Sequence, residues 1–351
     1  MDERLFQEER THVHPQGEVH VFSAGAMDLE RGGHLPEVEI AYQAWGTLNA
    51  DASNAVLVCH ALSGDSHAAG WWSRLVGPGL AIDTKRFFVI GSNVLGGCRG
   101  STGPASMAPN GRAYGSSFPQ ITIGDMVNAQ RRLVASLGIS ELALVCGGSM
   151  GGMQALEWAR TGGVRRAWIT ASASKHGAMQ IGFNESARQA IMADEGWLDG
   201  DYLPGPGPRK GLAVARMLGH ISYLSAEAFE GKFGRRRQEN DPETFQVESY
   251  LRYQGAKFCE RFDANSLIVL SRANDLYECN SLADSKASFL FTAFTSDWLY
   301  PVGQSAAMHE MALAAGRPSV LEIIDLPYGH DAFLLDDQYQ AKIVKDWLNG
   351  A

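Results

Sequence analysis

Apolar residues follow two patterns along the chain, short runs that are almost wholly apolar and longer stretches in which they recur every three or four positions. The short runs predict strands that are covered on both faces, and the longer stretches predict the helices that cover them. Strand-like runs occupy 55–60, 87–91, 142–146, 165–170, 289–294 and 319–324. Residues 18–46 instead alternate between apolar and polar, which predicts antiparallel strands at one edge of the sheet. Together these elements predict an α/β fold with a mostly parallel, doubly wound sheet.

The pattern changes between residues 176 and 288, where strand-like runs are scarce and helical spacing dominates. Helices are predicted over 186–193, 211–223, 225–233, 245–260 and 266–276. We therefore expect a core domain made of residues 1–175 and 289–351, with a helical lid domain, 176–288, inserted in it. A lid at this point of the chain would cover the edge of the sheet at which the parallel strands end.

Composition and charge exclude several classes of function. The 351 residues are 45% hydrophobic, which is enough for a sizeable core, and the net charge of -9 argues against nucleic acid or an anionic membrane as the main partner. No apolar stretch approaches the roughly 18 residues of a membrane span, and residues 1–5 lack the apolar core of a signal peptide, so a cytoplasmic location is predicted. The cysteines lack C-x-x-C spacing, so no metal site and no disulfide framework are predicted.

The glycine-rich turn after the strand-like run 142–146 carries the first candidate for chemistry. Gly147 and Gly151 bracket Ser149 in the G-x-S-x-G pattern of a nucleophile elbow, in which a serine lies on a strained turn between a strand and a helix. In such a turn the backbone N–H of Met150 faces the position where an oxyanion forms. The second oxyanion donor is expected from the loop after residues 55–60, where the N–H of Leu62 is the candidate.

A serine nucleophile needs a base, and the base needs an acid that fixes its tautomer. In the fold that carries this elbow, the chain order is serine, acid, histidine. Asp297 directly follows the run 289–294, and His330 follows the run 319–324, so both are expected at the same edge of the sheet as Ser149. Asp325 and Asp275 are the rivals for the acid. Asp325 is too close to His330 in sequence, and Asp275 lies within the predicted lid.

A serine triad alone does not choose between esterases, lipases, peptidases and acyltransferases. The segments around it are more specific, namely NAVLVCHALSGDSH at 54–67, GGSMGGMQALEW at 147–158, SDWLYP at 296–301 and GHD at 329–331. From about residue 41 to the C-terminus, the sequence resembles the homoserine O-acetyltransferases of methionine biosynthesis. The resemblance implies an α/β-hydrolase fold with a helical lid.

The resemblance also implies a reaction in two steps. Acetyl-CoA would acylate Ser149, with His330 as the base; CoA would leave, and the side-chain hydroxyl of L-homoserine would attack the acetyl-enzyme. Acetyl-CoA is a substrate in this scheme, and no cofactor or metal is required. Members of the family pair through the lid, so a homodimer is expected.

By the same resemblance, Arg216 matches the arginine that binds the carboxylate of the substrate, and Asp331 matches the aspartate that binds its ammonium group. Tyr223 lies on the same predicted helix as Arg216 and is a further candidate contact. Related succinyl-CoA enzymes have an arginine where this chain has Leu299, which favours acetyl-CoA as the donor. An O-succinyltransferase of homoserine or serine, and a serine esterase or other hydrolase, remain the alternatives.

Overall fold

The computed structural model describes residues 17–335 and 338–350. The expectation about a signal peptide rests on residues 1–5, which lie outside that part of the chain. Across the described residues, no helix is both long enough and apolar enough to cross a membrane.

The core is an eight-stranded sheet with the order β1-β2-β6-β3-β7-β8-β9-β10. β1 pairs antiparallel with β2, and β2 pairs antiparallel with β6, whereas the remaining neighbours are parallel. A second, two-stranded sheet is formed by β4 and β5. The strands are β1 (His20–Asp28), β2 (His34–Trp45), β3 (Ala55–Cys59), β4 (Val76–Gly77), β5 (Ile82–Asp83), β6 (Phe88–Ser92), β7 (Leu144–Gly148), β8 (Arg166–Thr170), β9 (Ser288–Phe294) and β10 (Ser319–Ile324). The predicted mostly parallel α/β fold is confirmed.

Helices cover both faces of this sheet and fill the interval between β8 and β9. They are α1 (Ala68–Trp71), α2 (Ile123–Ser136), α3 (Met150–Thr161), α4 (Ala178–Met192), α5 (Arg209–Tyr223), α6 (Ala226–Lys232), α7 (Gln246–Phe258), α8 (Ala264–Leu276), α9 (Val302–Ala314), α10 (Ala332–Leu335) and α11 (Tyr339–Gly350). Within residues 17–335 and 338–350, 3₁₀ helices lie at Gly115–Ser117, Glu195–Gly200 and Gly329–Asp331.

The apolar runs are explained by a sheet that is buried on both sides. Along β3, Leu57 belongs to the apolar cluster that also contains residues of α2 and α3, whereas Val56 and Val58 belong to a second cluster with residues of α1 and α11. Successive side chains of a strand point to opposite faces, so a strand between two helical layers must be apolar at every position.

Most elements lie within one or two residues of their predicted bounds, and β7 and α4 show why bounds shift. β7 begins at Leu144 and continues to Gly148, because Leu142 makes only an isolated bridge to Val164. α4 begins at Ala178 rather than at residue 186. In its first turns the apolar Met179 is 60% exposed, while the polar Gln180 is buried, so the burial there runs against the hydrophobic pattern.

The helical segment, as we call residues 176–288, lies against the loops that follow the strands. Gly329, in the 3₁₀ helix after β10, has a φ of 71° and packs so tightly that a Cβ there would lie 2.4 Å from the backbone nitrogen of Ser225. Trp298, after β9, donates its indole N–H to the carbonyl of Leu224 over 2.9 Å. The segment therefore covers the carboxyl edge of the sheet, where open α/β sheets bind their ligands.

Candidate active site

Ser149 is held in a strained backbone conformation at the turn between β7 and α3. Its φ of 56° and ψ of -126° are unusual for a residue with a side chain. The backbone N–H of Ser149 donates to the carbonyls of Thr170 and Ala171, each over 3.2 Å. The serine is 8% exposed. The neighbouring strand thus fixes the turn, and the turn fixes where the hydroxyl lies.

The two bracketing glycines are required by close backbone contacts. A Cβ on Gly147 would lie 2.5 Å from the backbone of Gly151, and a Cβ on Gly151 would lie 2.1 Å from the carbonyl oxygen of Cys59. No side chain fits at such distances. The G-x-S-x-G pattern is therefore explained by the approach of α3 to β3 and β7.

His330 and Asp297 form a buried hydrogen-bonded pair. Nδ1 of His330 lies 2.7 Å from Oδ2 of Asp297, and the two side chains are 3% and 0% exposed. The other carboxylate oxygen, Oδ1, accepts the backbone N–H groups of Leu299 at 3.0 Å and Tyr300 at 2.8 Å. Because Asp297 accepts the Nδ1 proton, Nε2 of a neutral His330 is free to act as a base.

Neither rival acid contacts His330. Oδ1 of Asp325 accepts the hydroxyl of Thr295 over 2.5 Å. Asp275 is bound by His176, Asn184 and Arg188. The structure thus brings Asp297, and not Asp325 or Asp275, to the imidazole of His330.

Ser149 lies where two cavities meet. The first, which we call the Gln180 cavity, has a volume of about 70 Å³ and is lined by Ser149 together with Gln180 and Leu299. The second, the Arg216 cavity, has a volume of about 130 Å³ and is lined by Ser149 together with Arg216 and His330. Two cavities that share one nucleophile suit a reaction with two substrates.

The two candidate oxyanion donors are both beside Ser149. Leu62 lines both cavities. Met150 is the first residue of α3, and an N–H at that position has no acceptor within its own helix. Backbone donors in these positions can stabilise negative charge on a substrate oxygen.

Arg216 and Tyr223, both on α5, line the Arg216 cavity. A terminal nitrogen of Arg216 donates to the hydroxyl of Ser63 over 3.3 Å, and its Cζ lies 4.7 Å from the centre of the Phe258 ring. Its Nε is buried and has no hydrogen-bond partner among the described residues. A guanidinium that lines a cavity and has a buried N–H without a partner is suited to an incoming carboxylate.

Asp331 lines the same cavity and supplies the opposite charge. Burial raises the pKa of Asp331 to about 6, although the neighbouring His330 and Arg216 act in the other direction. A carboxylate and a guanidinium thus line one cavity, and the recognition of an amino acid requires both charges.

Two residues of the site were not singled out by the sequence. Tyr300 contacts the acid and the base of the candidate triad: its N–H donates to Oδ1 of Asp297 over 2.8 Å, and its ring stacks on that of His330 with the ring centres 4.8 Å apart. It also lines the Gln180 cavity together with Ser149. His60 accepts the N–H of Val94 at Nε2 over 3.1 Å, so its Nδ1 carries the proton and donates to the carbonyl of Ala61 over 2.7 Å. This bond holds the loop that carries Leu62. Tyr300, three positions after Asp297 in the SDWLYP segment, could have been found from that spacing, whereas His60 gave no such signal.

In the described part of the chain, no three histidine, cysteine, aspartate or glutamate side chains are grouped in a way that could hold a metal ion.

The sequence is similar to that of a known protein family. Residues 54–337 match a family model described as the alpha/beta hydrolase fold. The homoserine O-acetyltransferase of Solidesulfovibrio magneticus is 48% identical over 355 aligned positions, which cover 93% of this chain and 89% of that protein.

Solved structures with the same fold include both transferases and esterases. The homoserine O-acetyltransferase from Bacillus anthracis superposes with a TM-score of 0.90 at 28% identity, over 96% of this chain and 98% of that one. Esterase E22 superposes with a TM-score of 0.88 at 32% identity, over 94% and 99% of the two chains.

Proposed function

This chain belongs to the homoserine O-acetyltransferases of the α/β-hydrolase fold, and on that premise we propose that it transfers acetyl from acetyl-CoA to L-homoserine through an acetyl-Ser149 intermediate. The observation that carries the proposal is the position of Ser149 between two cavities, one of which presents Arg216 and Asp331. A hydrolase needs only water as its acceptor, whereas this pair of opposite charges is suited to an amino acid.

In the first step, Oγ of Ser149 bonds to the thioester carbon of acetyl-CoA while its proton passes to Nε2 of His330. The negative charge on the carbonyl oxygen is stabilised by the N–H groups of Leu62 and Met150. The carbon–sulfur bond then breaks, and the CoA sulfur receives the proton from His330. Asp297 stabilises the imidazolium that forms between these events.

In the second step, the side-chain hydroxyl of homoserine gives its proton to His330 and bonds to the acetyl carbon. The bond from that carbon to Oγ breaks, and Oγ recovers a proton from His330. Arg216 binds the carboxylate of homoserine and Asp331 its ammonium group, with Tyr223 beside them. These contacts fix the acceptor hydroxyl near the ester, which raises its effective concentration over that of water.

The proposal includes the arrangement of the chain into core and lid. Residues 1–175 and 289–351 form the core, and the helical segment acts as the lid that keeps water from the acetyl-enzyme. Val214 and Ile221 of α5 and Tyr253 of α7 are 44%, 40% and 59% exposed, and this apolar surface suits the pairing of two copies. Sedimentation of the purified protein tests the homodimer.

An acceptor panel tests the reaction. The protein is mixed with acetyl-CoA and with homoserine, serine or water alone, while thiol release and product mass are followed. We expect thiol release to be fast only with homoserine and to match the O-acetylhomoserine formed. Equal rates with and without homoserine would refute the proposed transfer.

The second candidate is an esterase, which is favoured by the likeness to esterase E22. Its acyl-enzyme would be released by water. In that case the acceptor panel would show acetate as the product, and the Arg216 cavity would have no effect on the rate of release.

Leu299 provides a prediction about the acyl donor. It is 8% exposed and lines the Gln180 cavity together with Ser149. Its apolar side chain has no group that could bind the second carboxylate of a succinyl donor. In Leu299→Arg, we expect the preference for acetyl-CoA over succinyl-CoA, measured as the ratio of kcat/KM values, to fall about tenfold or more, since a charge-assisted hydrogen bond becomes available. Leu299→Met keeps the size without the charge and should keep the ratio. An unchanged ratio in Leu299→Arg would contradict the assignment.

Asp331 predicts how acceptor recognition depends on pH. Its pKa of about 6 means that the carboxylate needed to pair the ammonium of homoserine is present above pH 6 and is lost as the pH falls through that value. We expect kcat/KM for homoserine to fall below pH 6 more steeply than kcat/KM for acetyl-CoA, which depends on His330 but not on Asp331. The two profiles should become parallel in Asp331→Asn. Parallel profiles in the unmodified enzyme would show that Asp331 does not bind the ammonium group.

A further inference from the structure

The two cavities beside Ser149 differ in their relation to the base. His330 lines the Arg216 cavity, and the described residues that line the Gln180 cavity do not include it. In both steps of acetyl transfer, the group that exchanges a proton with His330 must lie next to its imidazole. That group is the CoA sulfur in the first step and the acceptor hydroxyl in the second. Both therefore occupy the Arg216 cavity, one after the other.

The acyl chain of the donor needs a different space. During attack, the carbon that bonds to Oγ of Ser149 also carries the sulfur, the negatively charged oxygen and the acyl chain. The oxygen faces the backbone N–H groups of Leu62 and Met150, and the sulfur faces His330. The Gln180 cavity, which Ser149 also lines, is the space that remains for the chain.

The Gln180 cavity is larger than an acetyl group requires. Its volume is about 70 Å³, whereas one water-sized group needs only about 10–15 Å³. The cavity therefore has room for roughly five such groups. An acetyl group would place a single methyl there, and a butyryl group would add two methylenes to it.

The lining of the cavity suits a chain without charge. Apolar side chains from three helices of the helical segment and from the loop after β9 form much of it, namely Phe183, Leu218, Leu267 and Leu299. Among the described residues that line it, none is an aspartate, glutamate, lysine or arginine. A terminal carboxylate on the chain would thus be buried without a partner, which is costly, whereas methylenes would be buried at a gain.

Most polar groups at this cavity are already paired within the protein. Nε2 of Gln180 donates to Oε1 of Gln304 over 2.9 Å, and Nδ2 of Asn184 donates to Oδ1 of Asp275 over 2.7 Å. Oδ1 of Asn274 is buried without a partner among the described residues, but it carries no charge. An apolar chain in the cavity would break none of these hydrogen bonds.

We propose that the Gln180 cavity holds the acyl chain of the donor, and that the enzyme has a further activity, the transfer of uncharged acyl groups as long as butyryl. The inference rests on the proposed acetyl transfer and deepens it. The covalent steps are those of acetyl transfer. Oγ of Ser149 bonds to the butyryl carbonyl carbon, the carbon–sulfur bond breaks, and the CoA sulfur receives the proton that Oγ gave to His330. The acceptor hydroxyl then takes the butyryl group and returns a proton to Oγ through His330.

A pair of p-nitrophenyl esters tests the size of the acyl site without CoA or homoserine. The value of kcat/KM is measured for p-nitrophenyl acetate and p-nitrophenyl butyrate by release of p-nitrophenol. We expect the butyrate value to be within about tenfold of the acetate value, or above it, because a cavity receives the added methylenes. A butyrate value below a tenth of the acetate value would overturn the inference, since it would show that the site rejects the longer chain.

Two changes at Leu218 test which cavity receives the chain. Leu218 is half-buried on α5 and lines the Gln180 cavity but not the Arg216 cavity. In Leu218→Trp the cavity is filled, and the ratio of kcat/KM for butyrate to that for acetate should fall by about tenfold or more. In Leu218→Ala it is enlarged, and the ratio for hexanoate to butyrate should rise. An unchanged chain-length profile in both variants would overturn the assignment of the cavity.

Met217→Trp and Asp331→Asn are the matched controls. Met217 is the neighbour of Leu218 on α5, is also half-buried, and lines neither cavity. Asp331 lines only the Arg216 cavity of the two. Each control should change kcat/KM for the butyrate and acetate esters by the same factor. A fall of the ratio in Asp331→Asn, with no change in the Leu218 variants, would place the chain in the Arg216 cavity and refute the inference.

Butyryl-CoA with homoserine separates failure of this inference from failure of the proposed function. We expect thiol release with an equal amount of O-butyrylhomoserine, identified by mass. If acetyl-CoA gave O-acetylhomoserine but butyryl-CoA gave no product, the further activity would be refuted and the proposed function would stand. If neither product formed while p-nitrophenyl butyrate was cleaved with the expected dependence on Leu218, the proposed function would fail and the assignment of the cavity would stand.

Discussion

Ser149→Ala is expected to abolish acetyl transfer, with a fall in kcat of roughly 10⁴-fold or more, because no other group replaces a nucleophile that forms the covalent intermediate. The measurement is thiol release from acetyl-CoA in the presence of homoserine. The fold should persist, since alanine requires no more space than serine at this turn. Binding of CoA and homoserine should also persist, because the side chains that contact them are unchanged.

Ser172→Ala is the control for this variant. The hydroxyl of Ser172 donates to the carbonyl of Ser149 over 2.7 Å, so it supports the same turn without being the nucleophile. Loss of this hydrogen bond should lower kcat by about tenfold at most, which corresponds to the free energy of one buried hydrogen bond. Transfer by Ser149→Ala at more than about a hundredth of the normal rate would rule out the covalent mechanism.

Asp297→Asn is expected to lower kcat by roughly 10³- to 10⁴-fold, the loss that follows when a catalytic histidine takes the wrong tautomer. Oδ1 of Asp297 accepts two backbone N–H groups, so the carbonyl oxygen of an asparagine must take that position. The amide NH₂ then faces Nδ1 of His330 and donates to it. The ring proton moves to Nε2, which then has no lone pair to accept a proton, so His330 can no longer act as a base.

Asp325→Asn provides the comparison, since Asp325 follows another strand but binds Thr295 instead of His330. The kcat of Asp325→Asn should stay within about threefold of that of the unmodified enzyme, because the substitution lies outside the site. If Asp325→Asn lost as much activity as Asp297→Asn, the acid of the triad would be wrongly assigned.

Much of the site follows from local sequence because local constraints determine it. The turn at Ser149 requires small residues where α3 approaches the backbone of Cys59. Gly147 and Gly151 meet that requirement, so the turn is visible in the sequence. Asp297 and His330 follow strands that end at one edge of a parallel sheet, so their meeting could be predicted from strand order alone. The role of Arg216 came from the family resemblance, since a lone arginine on a helix carries no signal of its own.

The contacts of His176 with Asp275 and with Tyr300 could not be predicted, because they join distant parts of the chain. His176 precedes α4, Asp275 lies near the end of α8, and Tyr300 follows β9, so nothing in the spacing of the three links them. From its position in the sequence, Asp275 is a candidate only as a rival acid for His330. The start of α4 also could not be predicted, because its first turns expose Met179 and bury Gln180, against the hydrophobic pattern of a helix.

All of these assignments depend on a transient acetyl ester at one serine. The protein is mixed with acetyl-CoA alone, quenched rapidly and digested, and the peptide that contains Ser149 is weighed before and after homoserine is added. We expect this peptide to gain the mass of one acetyl group and to lose it to homoserine, with O-acetylhomoserine formed in equal amount. Formation of O-acetylhomoserine with Ser149 unmodified at every quench time would contradict the account.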